Sequence, residues 1–177
     1  MIHDSKHWKQ PLLRTASLLS SLRFKETETT ERALARVERE IFVGFYAIRK
    51  LLETFKVSSS TKELQLDIQA FHAKSGSKVD YLNTADIDKF FELKNPIQEQ
   101  KDIGFLCNQI IHSYVFLISI GEDGGLEGFF VASDTMRSKK IYFVEIVQVI
   151  DAFRQVGSDY PRSITMQRNQ KTDQWEV

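Results

Sequence analysis

The stretch TERALARVEREIFVGFYAIRKLLETFK, residues 30–56, carries the strongest structural pattern in the chain. Its apolar residues recur at intervals of three and four, at Leu34, Val37, Ile41, Phe45, Ile48, Leu52 and Phe55. This spacing predicts one long helix from about Thr30 to Lys56 with a continuous buried stripe. Gly44 lies inside that helix at a cost of about 1 kcal/mol relative to Ala, which favours the close approach of another backbone there.

Shorter helical patterns lie on both sides of this stretch. Before it, residues 12–22 place their apolar side chains on one face, and Pro11 fits the first turn of a helix, where its missing N–H costs nothing. After it, helical spacing predicts three more helices. The first carries Ile87 and Phe90, and the second carries Ile103, Leu106, Ile110 and Tyr114. The third carries Ile146, Val149, Ile150 and Phe153.

Strand patterns are concentrated later in the chain. Residues 63–72 alternate between apolar and polar, which predicts a strand with one solvated face. Residues 114–120 and 126–132 are rich in β-branched and aromatic side chains and flank a Gly124-Gly125 turn, which predicts a β-hairpin. Weaker strand signals lie at 141–144 and in a hairpin around Asn169 to Asp173.

Because helices come first and strands later, the predicted class is α+β. We expect a single domain, 1–177, in which an N-terminal helical bundle carries a small antiparallel sheet formed mainly by the C-terminal half. The helical part covers about residues 8–113 and the β-rich part about residues 114–177, and the strand at 63–72 joins them.

Composition limits the function classes. The 177 residues are 42% apolar and 27% charged, which excludes a wholly disordered chain and a collagen-like one. The 24 basic and 24 acidic residues balance to zero, so the charge does not demand nucleic acid or an anionic membrane as partner. No apolar run approaches the ~20 residues that a membrane-spanning helix needs, and we expect no membrane partner.

Cys107 is the single cysteine, so no disulfide can form within the chain. The first eight residues lack the apolar core of a secretory signal. Together these features predict a reducing, cytoplasmic setting.

No cofactor or metal pattern stands out. The chain contains neither G-x-x-x-x-G-K-[ST] nor G-x-G-x-x-G. His3 and His7 have the spacing of metal ligands on a helix, but chain ends are usually poorly ordered. Asp86 and Asp88 would point away from each other on a helix. We therefore expect no cofactor and no metal ion.

The stretch Leu106 to Tyr114 holds the candidate site. Asn108 and His112 are four residues apart and share a helix face, where an amide can orient an imidazole for acid/base work. If the chain is already extended after His112, Tyr114 lies on the same side; if it is still helical, the two diverge. Cys107 is about 140° around the helix from His112, so a Cys–His nucleophile pair is geometrically poor, and a buried thiol is the simpler interpretation.

These residues resemble the signature of the HEPN superfamily, which comprises helical domains found in many bacterial ribonucleases and toxins. The family pattern is R-x-x-x-x-H, usually with Asn after the Arg, and one toxin branch extends it to R-x-x-x-x-H-x-Y. Asn108, His112 and Tyr114 match this pattern, and Cys107 stands where the Arg belongs. The resemblance implies a metal-independent site, commonly shared across a dimer interface, in which the His moves a proton of RNA cleavage and the Arg supports charge on the phosphate.

A thiol has neither the fixed charge nor the planar donors of a guanidinium, so this copy of the motif is expected to be feeble or inactive unless Arg49 or Lys50 takes the vacant role. Our first hypothesis is therefore a non-catalytic HEPN-like binding or assembly module, a homodimer that acts on RNA or on a protein partner. The second is a metal-independent endoribonuclease of toxin or defence type, with His112 as acid/base, Asn108 as its orienter and Tyr114 as a phosphate contact. The third is a structural α+β domain in which His112 only supports the fold.

Overall fold

A five-stranded antiparallel sheet forms the centre of the structure. The computed structural model describes residues 2–24, 31–161, 167–168 and 175–176. Along the chain the strands are β1 (Gln65–His72), β2 (Ile97–Asp102), β3 (Ser113–Ile120), β4 (Leu126–Ser133) and β5 (Lys140–Glu145). Their order across the sheet is β2-β1-β5-β4-β3, so β2 and β3 form the two edges.

The helices lie before, between and after these strands along the chain. They are α1 (Lys6–Ser21), α2 (Glu31–Leu52), α3 (Ser59–Lys62), α4 (Ile87–Phe90), α5 (Ile103–Ile111) and α6 (Ile146–Ser158). The predicted α+β class is confirmed, and three of the five strands come from the part of the chain after residue 112. The long helix predicted from about Thr30 to Lys56 is α2, which ends earlier, at Leu52, and the predicted hairpin is β3–β4.

Strand β2 was not predicted, and it lies inside the part of the chain that was expected to be helical. Its sequence, IQEQKD, has no apolar alternation, because most of its side chains are exposed or only half-buried. It pairs with β1 through six residue pairs, from Gln65 with Asp102 to Ala70 with Ile97. A solvated edge strand of this kind gives the sequence no buried face to reveal.

The two faces of the sheet are covered differently. One face packs against α1, α2, α5 and α6 in a single apolar core that includes Leu66, Ile68, Phe129 and Val144. The opposite face carries a smaller apolar cluster formed with the connection between β1 and β2, in which Phe91 is fully buried. The sheet therefore packs directly on the helices, and residues from both parts of the chain share one core.

Helix α2 runs against α6 at Gly44. A Cβ atom added at Gly44 would lie 2.3 Å from Cζ of Phe153, a ring that packs edge-on against Phe45 at a centroid distance of 5.3 Å. The close approach expected at Gly44 is thus real, but the approaching group is an aromatic side chain and not a backbone.

Helix α1 begins at Lys6, so the prediction that Pro11 lies in its first turn was wrong. Two residues before Pro11, Lys9 of α1 is fully buried against the segments that follow α2 and α6. Its Nζ donates to the carbonyl oxygens of Lys56, at 2.6 Å, and Asp159, and it lies 4.2 Å from the centre of the Tyr160 ring. These contacts satisfy a charge that would otherwise be costly to bury.

The short strands β6 (Gln167–Arg168) and β7 (Trp175–Glu176) pair antiparallel near the C-terminus. This pairing confirms the two arms of the predicted tail hairpin. The turn placed around Asn169 to Asp173 lies outside the described residues.

Candidate functional site

Helix α5 carries the motif residues and is fixed at its start by a side-chain cap. Oδ1 of Asp102 accepts a hydrogen bond from the backbone N–H of Phe105 at 2.7 Å, which satisfies one of the free donors of the first turn. The buried side chains Ile103, Leu106 and Ile110 attach the helix to the main core. The helix ends at Ile111, and His112 is its C-terminal cap residue.

Asn108 and His112 both have exposed side chains. The backbone N–H of His112 donates to the carbonyl oxygen of Asn108 at 3.1 Å. Within the described residues, however, no hydrogen bond joins the Asn108 amide to the His112 ring. The ring is therefore accessible to a ligand, but Asn108 does not orient it.

Tyr114 is the second residue of strand β3, so the chain is already extended at this point. Its half-buried ring packs with the smaller apolar cluster on the far face of the sheet. Cζ of Arg137 lies 3.8 Å from the centre of that ring, which is the geometry of a cation–π contact.

Arg137 is a neighbour of the motif that sequence reasoning missed. Its Nε lies 3.0 Å from Oδ1 of Asp134, and its Nη1 donates to the carbonyl oxygen of Val79 at 2.7 Å. The backbone N–H of Asp134 in turn donates to the carbonyl oxygen of His112 at 3.2 Å. The β3–β4 hairpin brings these residues together, since Ser113 pairs with Ser133. The predicted hairpin was the only sequence feature that could have indicated that Arg137 lies near Tyr114.

Cys107, at the position of the motif Arg, is fully buried. Burial raises the pKa of its thiol to about 12, and the positive charge of nearby Arg49 opposes that shift only in part. The thiol is therefore neutral near neutral pH and is unavailable as a nucleophile. Arg49, one of the two substitute cations considered from the sequence, does lie close to this thiol, but its Nε is paired with Glu53 at 3.1 Å.

Two cavities lie away from these residues. One, of about 750 Å³, is lined by α1 and α2, and one of about 530 Å³ is lined by Trp8, Tyr46 and the residues around the end of α2. Asn108, His112 and Tyr114 line neither of them. The exposed Asn108 and His112 thus lie outside both cavities, and Tyr114 is half-buried beside them.

The residues that the structure describes contain neither a candidate metal site nor a candidate membrane-spanning helix. No group of three or more His, Cys, Asp or Glu residues there has the geometry to hold a metal ion. No helix among those residues combines the length and apolar character needed to cross a bilayer.

Comparison with known proteins gave no match, whether to a family model, to a curated protein or to a solved structure. The HEPN resemblance therefore stays a prediction that rests on Asn108, His112 and Tyr114.

Proposed function

We propose that this chain is a non-catalytic binding or assembly module that retains part of a HEPN-like motif. The observation that carries the proposal is the burial of Cys107 at the position of the motif Arg. A neutral buried thiol offers a phosphate neither a fixed charge nor a planar set of donors. Loss of one preorganised donor of this kind costs about 3 kcal/mol of transition-state stabilisation.

The surroundings of His112 support the same proposal. A histidine that transfers protons needs a fixed ring orientation and a suitable partner for its second nitrogen. The exposed His112 ring has no hydrogen-bond partner among the described side chains. The nearby cation Arg137 is already committed to Asp134 and to the Val79 carbonyl.

Incubation of the purified protein with end-labelled single-stranded RNA tests this role. We expect no cleavage, with or without EDTA, and the same result for His112→Ala. His72→Ala is the matched control, since His72 is an exposed histidine at the end of β1. Reproducible cleavage that disappears only in the His112→Ala protein would overturn the proposal.

The stability of the same variant separates a binding role from a purely structural one. Because the His112 side chain is exposed, its removal should change the free energy of unfolding by no more than about 0.5 kcal/mol. A loss several times larger in urea denaturation would favour the interpretation of His112 as a structural residue.

The proposal includes a homodimer, and the position of β3 at an edge of the sheet supports it. The other edge strand, β2, carries Glu99, Lys101 and Asp102, and charges of this kind deter edge-to-edge pairing. Strand β3, with the sequence SYVFLISI, has no charge along its eight residues. Antiparallel pairing with a second copy, centred between Phe116 and Leu117, would oppose only uncharged side chains.

Sedimentation analysis at micromolar concentration tests this dimer. Ser119→Lys places a charge on β3 at a half-buried polar position, and we expect it to weaken dimerisation about tenfold. Gln100→Lys, on the charged edge strand β2, is the matched control and should leave the dimer intact. A monomeric wild-type protein, or equal effects of the two variants, would contradict the β3 interface.

The partner of the module is RNA or a protein, and we propose that the module acts in the cytoplasm because its single cysteine cannot form a disulfide within the chain. The balance of 24 basic and 24 acidic residues favours a protein partner over RNA. Affinity for RNA, if it exists, should fall steeply with salt in fluorescence anisotropy, whereas a salt-independent response would exclude a phosphate-binding role.

A metal-independent endoribonuclease is the second candidate, and the position of Arg137 favours it. Its guanidinium lies over the Tyr114 ring, and Asp134 links it to the backbone of His112. In this alternative Arg137 supports charge on the phosphate in place of the missing motif Arg, and Tyr114 contacts the phosphate. His112 transfers the proton, and Asn108 orients the His112 ring when the ligand binds.

Toxicity on expression, together with RNA cleavage in vitro, tests the second candidate. Both should be lost in His112→Ala and in Arg137→Gln, and both should survive EDTA. Arg154→Gln is the matched control, since Arg154 forms a comparable pair with Asp151 on the exposed side of α6. Activity that requires a divalent metal, or that survives Arg137→Gln, would count against this mechanism.

A further inference from the structure

The cavity of about 750 Å³ is a half-open groove between the second half of α1 and the first half of α2. It lies apart from α5 and from the motif residues, which do not line it. Its walls combine a row of arginines with an aliphatic floor.

The arginines are Arg32, Arg36 and Arg39, which are spaced by four and three residues and therefore share one face of α2. All three side chains are exposed. Arg39 pairs with Glu40 at 2.9 Å, but Arg32 and Arg36 have no carboxylate partner among the described residues. Among the described residues, the groove thus carries at least two arginines without a carboxylate partner, and no Asp or Glu is among its described lining residues.

The floor is formed by Leu18, Leu22 and Val37, with small alanine side chains of α2 beside them. Leu18 and Leu22 are half-buried, so part of their apolar surface faces the groove. The described lining residues include no aromatic ring on which a nucleobase could stack. This composition favours aliphatic side chains over bases as the occupant.

We propose that the groove binds an acidic amphipathic helix of a partner protein, which gives a chemical identity to the partner of the proposed binding function. The apolar face of such a helix would cover Leu18, Leu22 and Val37, as in other helix-in-groove complexes. Carboxylates on its flank would then meet Arg32 and Arg36, whose planar guanidinium groups bind a carboxylate through two parallel hydrogen bonds.

The two halves of the groove contribute differently to binding. The exposed arginines mainly accelerate association and select acidic partners, and their effect falls with salt. Burial of the aliphatic floor supplies most of the affinity that remains at high salt. Binding should therefore weaken at high salt without being abolished.

A synthetic fluorescent helix of about four turns, with leucines on one face and glutamates flanking them, is the probe for this surface. Its anisotropy is followed as the full chain is added, and a scrambled peptide of the same composition is the control peptide. We expect saturable binding of the amphipathic peptide and at least about tenfold weaker binding of the scrambled one.

Charge reversal at the groove gives the sharper test. Arg36→Glu should weaken binding about tenfold, whereas Arg154→Glu, a matched reversal on α6, should change it less than about twofold. A peptide in which lysines replace the glutamates should bind the Arg36→Glu protein better than it binds the wild type. Recovery of this kind reports charge complementarity and not a damaged fold.

Two results would overturn the proposal. They are equal binding of the scrambled peptide and tighter Arg36-dependent binding of a single-stranded RNA oligonucleotide. RNA cleavage dependent on His112 would overturn only the non-catalytic role and would leave the peptide result unchanged.

Discussion

Arg137 stacks on Tyr114, with its guanidinium carbon 3.8 Å from the ring centre, at the point where α5 passes into β3. The two residues are 23 positions apart in the chain, and they meet because β4 returns antiparallel beside β3. A tyrosine singled out from a short motif thus has a cation over its face. A structural role for that cation and the phosphate contact proposed for it above predict different behaviour.

A structural clamp predicts a measurable loss of stability in Arg137→Ala. The substitution removes the cation–π contact, the pair with Asp134 and the hydrogen bond to the Val79 carbonyl. We expect a loss of about 1–2 kcal/mol in urea denaturation, since the side chain is only 28% exposed. Arg154→Ala, which breaks a single exposed pair at 3.7 Å, should cost no more than about 0.5 kcal/mol. Equal costs would show that Arg137 does not clamp this part of the fold.

The sequence predicted those elements whose pattern is set by one buried face. Helix α2 shows this best, because its stripe of apolar residues packs on the core along most of its length. Strand β2 could not be predicted, because an exposed edge strand buries too little to produce alternation. The contact of Arg137 with Tyr114 was also out of reach, because it depends on which strands pair and not on local spacing.

The motif itself was predicted in part. The burial of Cys107 agrees with its interpretation from the sequence as a buried thiol, whereas helical spacing did not predict that Asn108 and His112 are exposed. Nor did it predict the missing hydrogen bond between Asn108 and His112, because spacing places two side chains on a face without fixing their rotamers.

The buried thiol of Cys107 should be unreactive in the folded protein. Burial raises its pKa to about 12, so the thiolate fraction near pH 8 is lower by about a thousandfold than for an ordinary cysteine. Reaction with a thiol-specific chromogenic reagent should be slow in the native protein and fast in guanidinium chloride. Ser138→Cys adds an exposed thiol as an internal control and should react at once. Rapid native labelling of the wild type would contradict the burial of this residue.

Gly44 should not tolerate a side chain. Gly44→Ala improves helix propensity by about 1 kcal/mol, but its Cβ would lie 2.3 Å from Cζ of Phe153. We expect a net loss of about 1–3 kcal/mol in the free energy of unfolding, because the ring is fully buried and cannot move away easily. Gly104→Ala is the control, since its Cβ meets only Oδ1 of Asp102, at 3.1 Å.

A double-mutant cycle attributes this loss to the ring of Phe153. In a Phe153→Leu background the ring is absent, so Gly44→Ala should cost less there than in the wild type. An unchanged cost in that background would assign the effect to the helix backbone instead.

Tyr142 should make the fold sensitive to alkaline pH. Burial raises the pKa of its hydroxyl to about 12, and Glu99 adds to the shift, whereas the pKa in the unfolded chain is about 10. Because the folded value is the higher one, the stabilising contribution is complete below about pH 10 and is lost as the pH rises towards 12. Between about pH 9 and pH 11, Tyr142→Phe should therefore lose about 1 kcal/mol less stability than the wild type.

The control for this pH dependence is Tyr81→Phe, because Tyr81 is 85% exposed whereas Tyr142 is 2% exposed. Urea denaturation followed by circular dichroism at each pH measures all three proteins. Tyr81→Phe should follow the wild-type curve, since an exposed hydroxyl has no burial to lose. Parallel stability curves for wild type and Tyr142→Phe would contradict this prediction. They would mean that the Tyr142 hydroxyl ionises as easily in the folded sheet as in the unfolded chain. Burial on the helix-facing side of β5 would then be too shallow to govern its pKa.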